Sequence, residues 1–181
     1  DAYRRSCEIC EEEGAVFLHP YNDPEVIAGQ GTLALEILAE LPETDIIIVP
    51  AGGGGLLAGT ALAAKSVKPQ VKVYGVQAAG ADAIAQSFRE KRLVTTDTAS
   101  TIADGIAVKA PGDLTVDIIN RYADGILTVS DSEIADAILL LMERCKQIVE
   151  PAGATPLAAI LNDKLDVRGR RVVCVMSGGN I

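Results

Sequence analysis

Ile46-Ile47-Ile48-Val49-Pro50-Ala51-Gly52-Gly53-Gly54-Gly55-Leu56-Leu57 joins an unbroken β-branched run to four consecutive glycines, and then to a helical pattern running towards Lys65. A run that is apolar on both faces is the pattern of a buried parallel strand. Glycines at the carboxyl end of such a strand free the backbone to curl its N–H groups around an anion, and the following helix adds the positive end of its dipole. The stretch therefore predicts strand, phosphate cradle and helix, in that order.

The kind of phosphate narrows by elimination. A Walker loop needs Lys-Ser or Lys-Thr after its glycines, and none follows here. A dinucleotide fingerprint needs a third glycine where Leu57 stands and an acid where the next strand ends at Gln77. A small monophosphate with no ribose remains, and pyridoxal phosphate fits that description. The plainer alternative is a tight turn, for which four glycines are entropically expensive.

Outward from this stretch, further β-branched runs occupy Val71 to Val76, Ile126 to Val129 and Val172 to Met176, separated by helical patterns of crossover length. That alternation predicts an α/β fold, an open and mostly parallel sheet with helices on both faces. Asp23-Pro24 starts one helix, which runs to about Leu41. Gly29 and Gly31 inside it predict close backbone approach by a neighbouring element or a ligand. Ser130-Asp131-Ser132-Glu133 is a capping box, and the apolar repeat of Ile134, Ile138, Leu141, Met142, Cys145 and Val149 predicts a helix continuing until Pro151.

The chain of 181 residues is long enough for one sizeable core, and 49% of it is hydrophobic, so it should fold as one domain. No apolar run approaches the roughly 20 residues that span a bilayer. The amino-terminal residues lack the apolar stretch of a secretory signal, so a cytoplasmic location is the default. A net charge of -9 without a basic cluster argues against nucleic-acid binding. Cys7-Glu8-Ile9-Cys10 has C-x-x-C spacing, but it lies in a helical pattern beside three glutamates, and neither Cys145 nor Cys174 supplies a second pair; structural thiols are the better reading. The chain opens without Met and stops at Ser177-Gly178-Gly179-Asn180-Ile181, just past a strand, so both ends read as cut from a longer protein.

Ser177 would lie at the same carboxyl edge of a parallel sheet as the glycine cradle, where open α/β sheets bind ligands, although Ser-Gly-Gly after a strand is often an ordinary turn. His19, the single histidine, reads as a packed or hydrogen-bonded residue at a strand end rather than a base. Asp104 beside Gly105 either lines the pocket or caps an exposed turn. Glu150 before Pro151 either approaches the ligand or is solvated at a helix end.

The order His19-Pro20-Tyr21-Asn22-Asp23-Pro24, Ala28-Gly29-Gln30-Gly31-Thr32, Gly52 to Leu56, Thr101 to Val108, Glu150-Pro151 and Ser177-Gly178-Gly179-Asn180 resembles the threonine dehydratases (threonine/serine ammonia-lyases) and the related serine racemases and dehydratases. The resemblance implies a fold type II pyridoxal-phosphate enzyme, with residues 16–181 forming most of its large domain and residues 1–15 a helix left from the smaller one. It further implies that pyridoxal 5'-phosphate is held by the backbone of Gly52, Gly53, Gly54, Gly55 and Leu56, and that Ser177 faces the pyridine nitrogen. The implied substrates are threonine and serine, and the implied assembly is a homo-oligomer. The lysine that bonds the cofactor in this family sits in a Ser-Phe-Lys type motif upstream of the matched region, so this chain supplies no catalytic lysine and should be inactive alone. Relatives with a divalent-metal site carry acids where this chain has Gln77 to Ala83, of which only Asp82 is acidic, so no metal site is expected. A serine racemase is the enzymatic alternative, and a phosphate-sensing or assembly module the non-enzymatic one.

Overall fold

The computed structural model describes residues 2–181. Helix α1 (Ala2–Glu13) leads through an irregular segment to α2 (Pro24–Glu40), β1 (Ile46–Pro50), α3 (Gly55–Val67), β2 (Lys72–Ala78) and α4 (Ala83–Glu90). A 3-10 turn at Asp104–Ile106 precedes α5 (Asp113–Tyr122), β3 (Gly125–Val129), α6 (Asp131–Leu140), α7 (Pro151–Leu161) and β4 (Val172–Cys174). The four strands are parallel in the order β3-β2-β1-β4.

Every residue of β1 is buried, because successive side chains point to opposite faces and both faces are covered. Ile47 and Val49 pack with Ile27, Leu38, Leu57 and Ile119 beneath α2, α3 and α5. Ile46 and Ile48 pack with Ile134, Ala137, Ala154 and Ala158 beneath α6 and α7. The α/β expectation holds, with helices on both faces.

The Asp23 carboxylate caps α2 by accepting from Glu25 N at 2.8 Å and Val26 N at 3.1 Å. Of the two glycines inside α2, Gly31 meets the expectation of close approach: a Cβ there would lie 3.0 Å from Gly59 O and 3.2 Å from the Ala63 Cβ on α3. At Gly29 no neighbouring element approaches, since nothing lies within 4 Å of the Cβ position.

The capping box at Ser130 forms, with Ser130 N donating to Glu133 at 2.7 Å and Glu133 N to Ser130 Oγ at 3.3 Å. The helix it starts does not reach Pro151. It ends at Leu140, passes through a π turn at Leu141–Cys145, and stops at Lys146, whose φ of 58° is left-handed. Val149 kept the apolar repeat alive for another reason, because it is buried in the core from an irregular segment. Met142 and Cys145, which the repeat assigned to the buried face, are exposed. The expected strand end at His19 is also absent, since residues 15–19 are irregular. Among the described residues, no helix is long and apolar enough to cross a membrane.

Candidate functional site

From β1 the chain steps to β2 and β3 on one side, then returns through α6 and α7 to β4 on the other side of β1. The loops leaving the carboxyl ends of β1 and β4 therefore diverge, and a crevice opens between them at the switch point of the sheet. A cavity of about 340 Å³ occupies this position, lined by Gly52 to Leu56 from one loop and by Ser177 from the other. All the residues expected to hold the ligand thus share one cavity. A larger hollow of about 460 Å³ lies near Leu41, Pro42 and Arg171 at the amino edge of β4, the end of the sheet opposite the glycine loop.

The glycine loop takes its shape from what surrounds it. Gly54 has φ 101°, left-handed backbone that disfavours any side chain. A Cβ on Gly53 would overlap the ring of Tyr21, whose hydroxyl donates to Ala110 O at 2.9 Å. Burial, and then the neighbouring Tyr3, push the Tyr21 phenol above its ordinary range. The Gly53 carbonyl points towards α5, accepting from Thr115 Oγ1 at 2.8 Å and Gly112 N at 3.2 Å. Ala58 N makes the first helical bond, to Gly54 O, and among the described residues no backbone N–H from Gly52 to Leu57 finds a protein acceptor. A buried loop with a row of unpartnered donors at a helix amino terminus fits a phosphate group.

The second loop is tied to α7. Glu150 N donates to Gly178 O at 3.0 Å, and the Glu150 carboxylate accepts from Asn180 N at 3.1 Å. Glu150 lines the cavity and is half-buried, so it is not a freely solvated acid at a helix end. Gly105 also lines it, whereas Asp104 is exposed and accepts from Gly105 N at 2.9 Å, the role of a turn cap.

His19 is outside the cavity. Its Nδ1 accepts from Asn22 N at 2.9 Å and from Tyr21 N at 3.4 Å, which makes it the organiser of the turn that carries Tyr21. Asn22 continues this turn towards α5 by donating to Asp113 at 2.8 Å and accepting from Leu114 N at 3.1 Å. Bonds to the Asp113 carboxyl, from Asn22 first and from Leu114 N second, hold it below its usual range. Tyr21 entered the sequence reading only as part of a motif, and Thr115 gave no signal at all, being one threonine in an amphipathic helix.

Among the described residues, no lysine lines the cavity. Lys65 pairs with Asp124 at 2.7 Å, and Lys164 with Glu133 at 2.8 Å. Gln77 is fully buried and its Oε1 accepts from Ala85 N at 2.8 Å. Among the described residues, no three His, Cys, Asp or Glu side chains gather as metal ligands would.

A parallel sheet that presents a glycine cradle and a helix amino terminus at its switch point defines a phosphate-binding α/β protein. More particularly, the chain belongs to the pyridoxal-phosphate dependent enzymes, whose family model matches residues 1–178. Over 181 residues it is 51% identical to an L-threonine ammonia-lyase of Thermotoga maritima, an alignment covering 100% of this chain and 45% of that protein. It is 45% identical over 183 residues to the catabolic L-threonine dehydratase TdcB of Escherichia coli K12, covering 100% of this chain and 56% of that one. The chain spans about half the length of the curated relatives it matches. Its fold matches the T.th. threonine deaminase with TM-score 0.93 and 39% identity, covering 99% of this chain and 59% of the other. It matches maize serine racemase with TM-score 0.94 and 40% identity, covering 99% and 56% respectively. These neighbours make the architecture that of fold type II, and the cofactor of the family is pyridoxal 5'-phosphate.

Proposed function

We propose that the protein containing this chain is a threonine/serine ammonia-lyase, converting L-threonine to 2-oxobutanoate and ammonia by β-elimination. The observation that carries the reading is the meeting of the unpartnered N–H groups of Gly52 to Leu56 with Ser177 across one cavity. When bound, pyridoxal 5'-phosphate supplies an electron-withdrawing ring that accepts charge from the substrate's α-carbon.

In this reading the loop N–H groups and the amino end of α3 hold the phosphate by hydrogen bonds and dipole. The Ser177 hydroxyl faces the pyridine nitrogen, and as a neutral group it does not enforce protonation there, which suits loss of a β-hydroxyl. Tyr21 and Glu150 wall the cavity and exclude water from its flanks. The amine that bonds the cofactor and moves the α-proton comes from a part of the protein beyond these 181 residues, since no described lysine reaches the cavity. The chain by itself is then inactive. The same reading makes residues 1–15 a piece of the smaller domain and the working protein a cytoplasmic homo-oligomer.

Serine racemase is the second reading, favoured by the likeness to the maize enzyme. Full-length protein incubated with L-threonine, L-serine and D-serine separates the two. Release of 2-oxobutanoate from L-threonine as the main activity supports the lyase; rapid exchange between the serine enantiomers with little keto acid supports the racemase. Neither activity, with no cofactor bound, would leave the non-enzymatic phosphate module.

A further inference from the structure

We infer that Thr115 is a positioning residue for the phosphate cradle: its hydroxyl sets the orientation of the peptide between Gly53 and Gly54, and through it the affinity for a phosphate monoester. The inference rests on the proposed cofactor site and concerns a residue outside the cavity wall.

Thr115 is fully buried in the first turns of α5. Its Oγ1 lies 2.8 Å from Gly53 O and 2.9 Å from Gly112 O, and a hydroxyl has a single proton for these two acceptors. Gly112 N also donates to Gly53 O, at 3.2 Å. The carbonyl is thereby drawn towards α5 from two directions. In a planar trans peptide, C=O and N–H point in opposite directions. Fixing Gly53 O against α5 turns Gly54 N–H to the side of the loop away from that helix, where the cavity lies and where no protein acceptor competes for it.

The fit on the Gly54 side is equally close. A Cβ on Gly54 would stand 2.7 Å from Thr115 Oγ1, so the loop approaches the hydroxyl at a distance only glycine permits. An anion bound at Gly54 N–H polarises the peptide and makes Gly53 O a stronger acceptor, since linked hydrogen bonds reinforce one another. The hydroxyl proton then favours Gly53 O over the Gly112 carbonyl of its own helix. Thr115 thus acts on the ligand through the loop, without touching it.

The test uses the full-length protein with Thr115→Val, which keeps the shape and removes the hydroxyl, and Thr115→Ser, which keeps the hydroxyl. Affinity is measured by spectroscopic titration with pyridoxal 5'-phosphate and, separately, with pyridoxal, which has no phosphate; the ³¹P resonance of the bound cofactor reports its phosphate environment. The expected result is a loss of about tenfold in pyridoxal 5'-phosphate affinity for Thr115→Val, the size of one hydrogen bond. Pyridoxal affinity stays unchanged, the ³¹P resonance moves, and Thr115→Ser stays within about twofold of the parent. Equal loss for both ligands, no loss for either, or the same loss in Thr115→Ser would each overturn the inference, the last because it assigns the effect to the methyl group. A parent that binds pyridoxal but gains nothing from the phosphate would overturn it while leaving the site. A parent that binds neither ligand would overturn the proposed cofactor site, and this inference with it.

Discussion

The ring of Tyr21 lies where a side chain on Gly53 would have to go. The segment before α2 thereby forms one wall of the loop after β1, and the cradle is shaped by a residue distant in sequence. Gly53→Ala must displace either the ring or the loop, an overpacking cost of about 1–3 kcal/mol. We expect the full-length variant to melt several degrees lower and to lose at least tenfold in affinity for pyridoxal 5'-phosphate, read by calorimetry and by titration. Wild-type affinity in a folded variant would refute the assignment of this loop to the phosphate.

Ser177 is exposed at the mouth of the same cavity, so removing its hydroxyl should leave stability within about 0.5 kcal/mol. Ser177→Ala in the full-length enzyme is expected to lower kcat at unchanged melting temperature. Kinetics equal to wild type would show that this hydroxyl takes no part.

Asp124 anchors the edge of the sheet opposite the site. Burial alone would raise its carboxyl, but Lys65, Lys72 and Val73 N hydrogen-bond it and hold it below the usual range. With a folded pKa lower than the unfolded value of about 3.9, its stabilisation is present above that pH and is lost as pH falls through the folded pKa. Asp124→Asn should destabilise by about 1–3 kcal/mol at pH 7, because it leaves Lys65 unpaired. The difference from wild type should shrink as pH falls below about 4 in urea denaturation, and a difference independent of pH would contradict the ion-pair account.

Burial pushes the Cys174 thiol up to about 11, leaving almost no thiolate at neutral pH. Alkylation of the folded protein near neutral pH should mark the exposed Cys145 and spare Cys174, whereas in denaturant both should react. Peptide mass spectrometry distinguishes them, and prompt labelling of Cys174 in the native state would place it at the surface.

Much of the layer structure was legible because it follows from local chemistry. The four β-branched runs are strands, with ends that differ by a residue or two, and Asp23-Pro24 and Ser130 begin helices as their side chains require. The helix expected to reach Pro151 was misread, since an apolar repeat continues as long as residues are buried, whatever backbone buries them. Val149 satisfies the repeat from an irregular segment that carries Glu150 to Gly178. Gly29 and Gly31 looked alike in sequence, yet only Gly31 faces α3.

By itself the sequence determined the four strand-forming runs, the glycine loop that opens α3 and the lack of a Walker or dinucleotide motif, because each depends on residues within one short window. The strand order β3-β2-β1-β4, which opens the crevice beside β1 and faces Ser177 towards the glycines, was decided only by tertiary structure. The clamp of Tyr21 and Thr115 on Gly53 was decided there too. The physical reason is range: a helix cap or a run of strand-forming residues is a property of neighbours in sequence, whereas the direction of the Gly53 carbonyl is set by a hydroxyl 62 residues away, brought within 2.8 Å by the packing of α5 on α3.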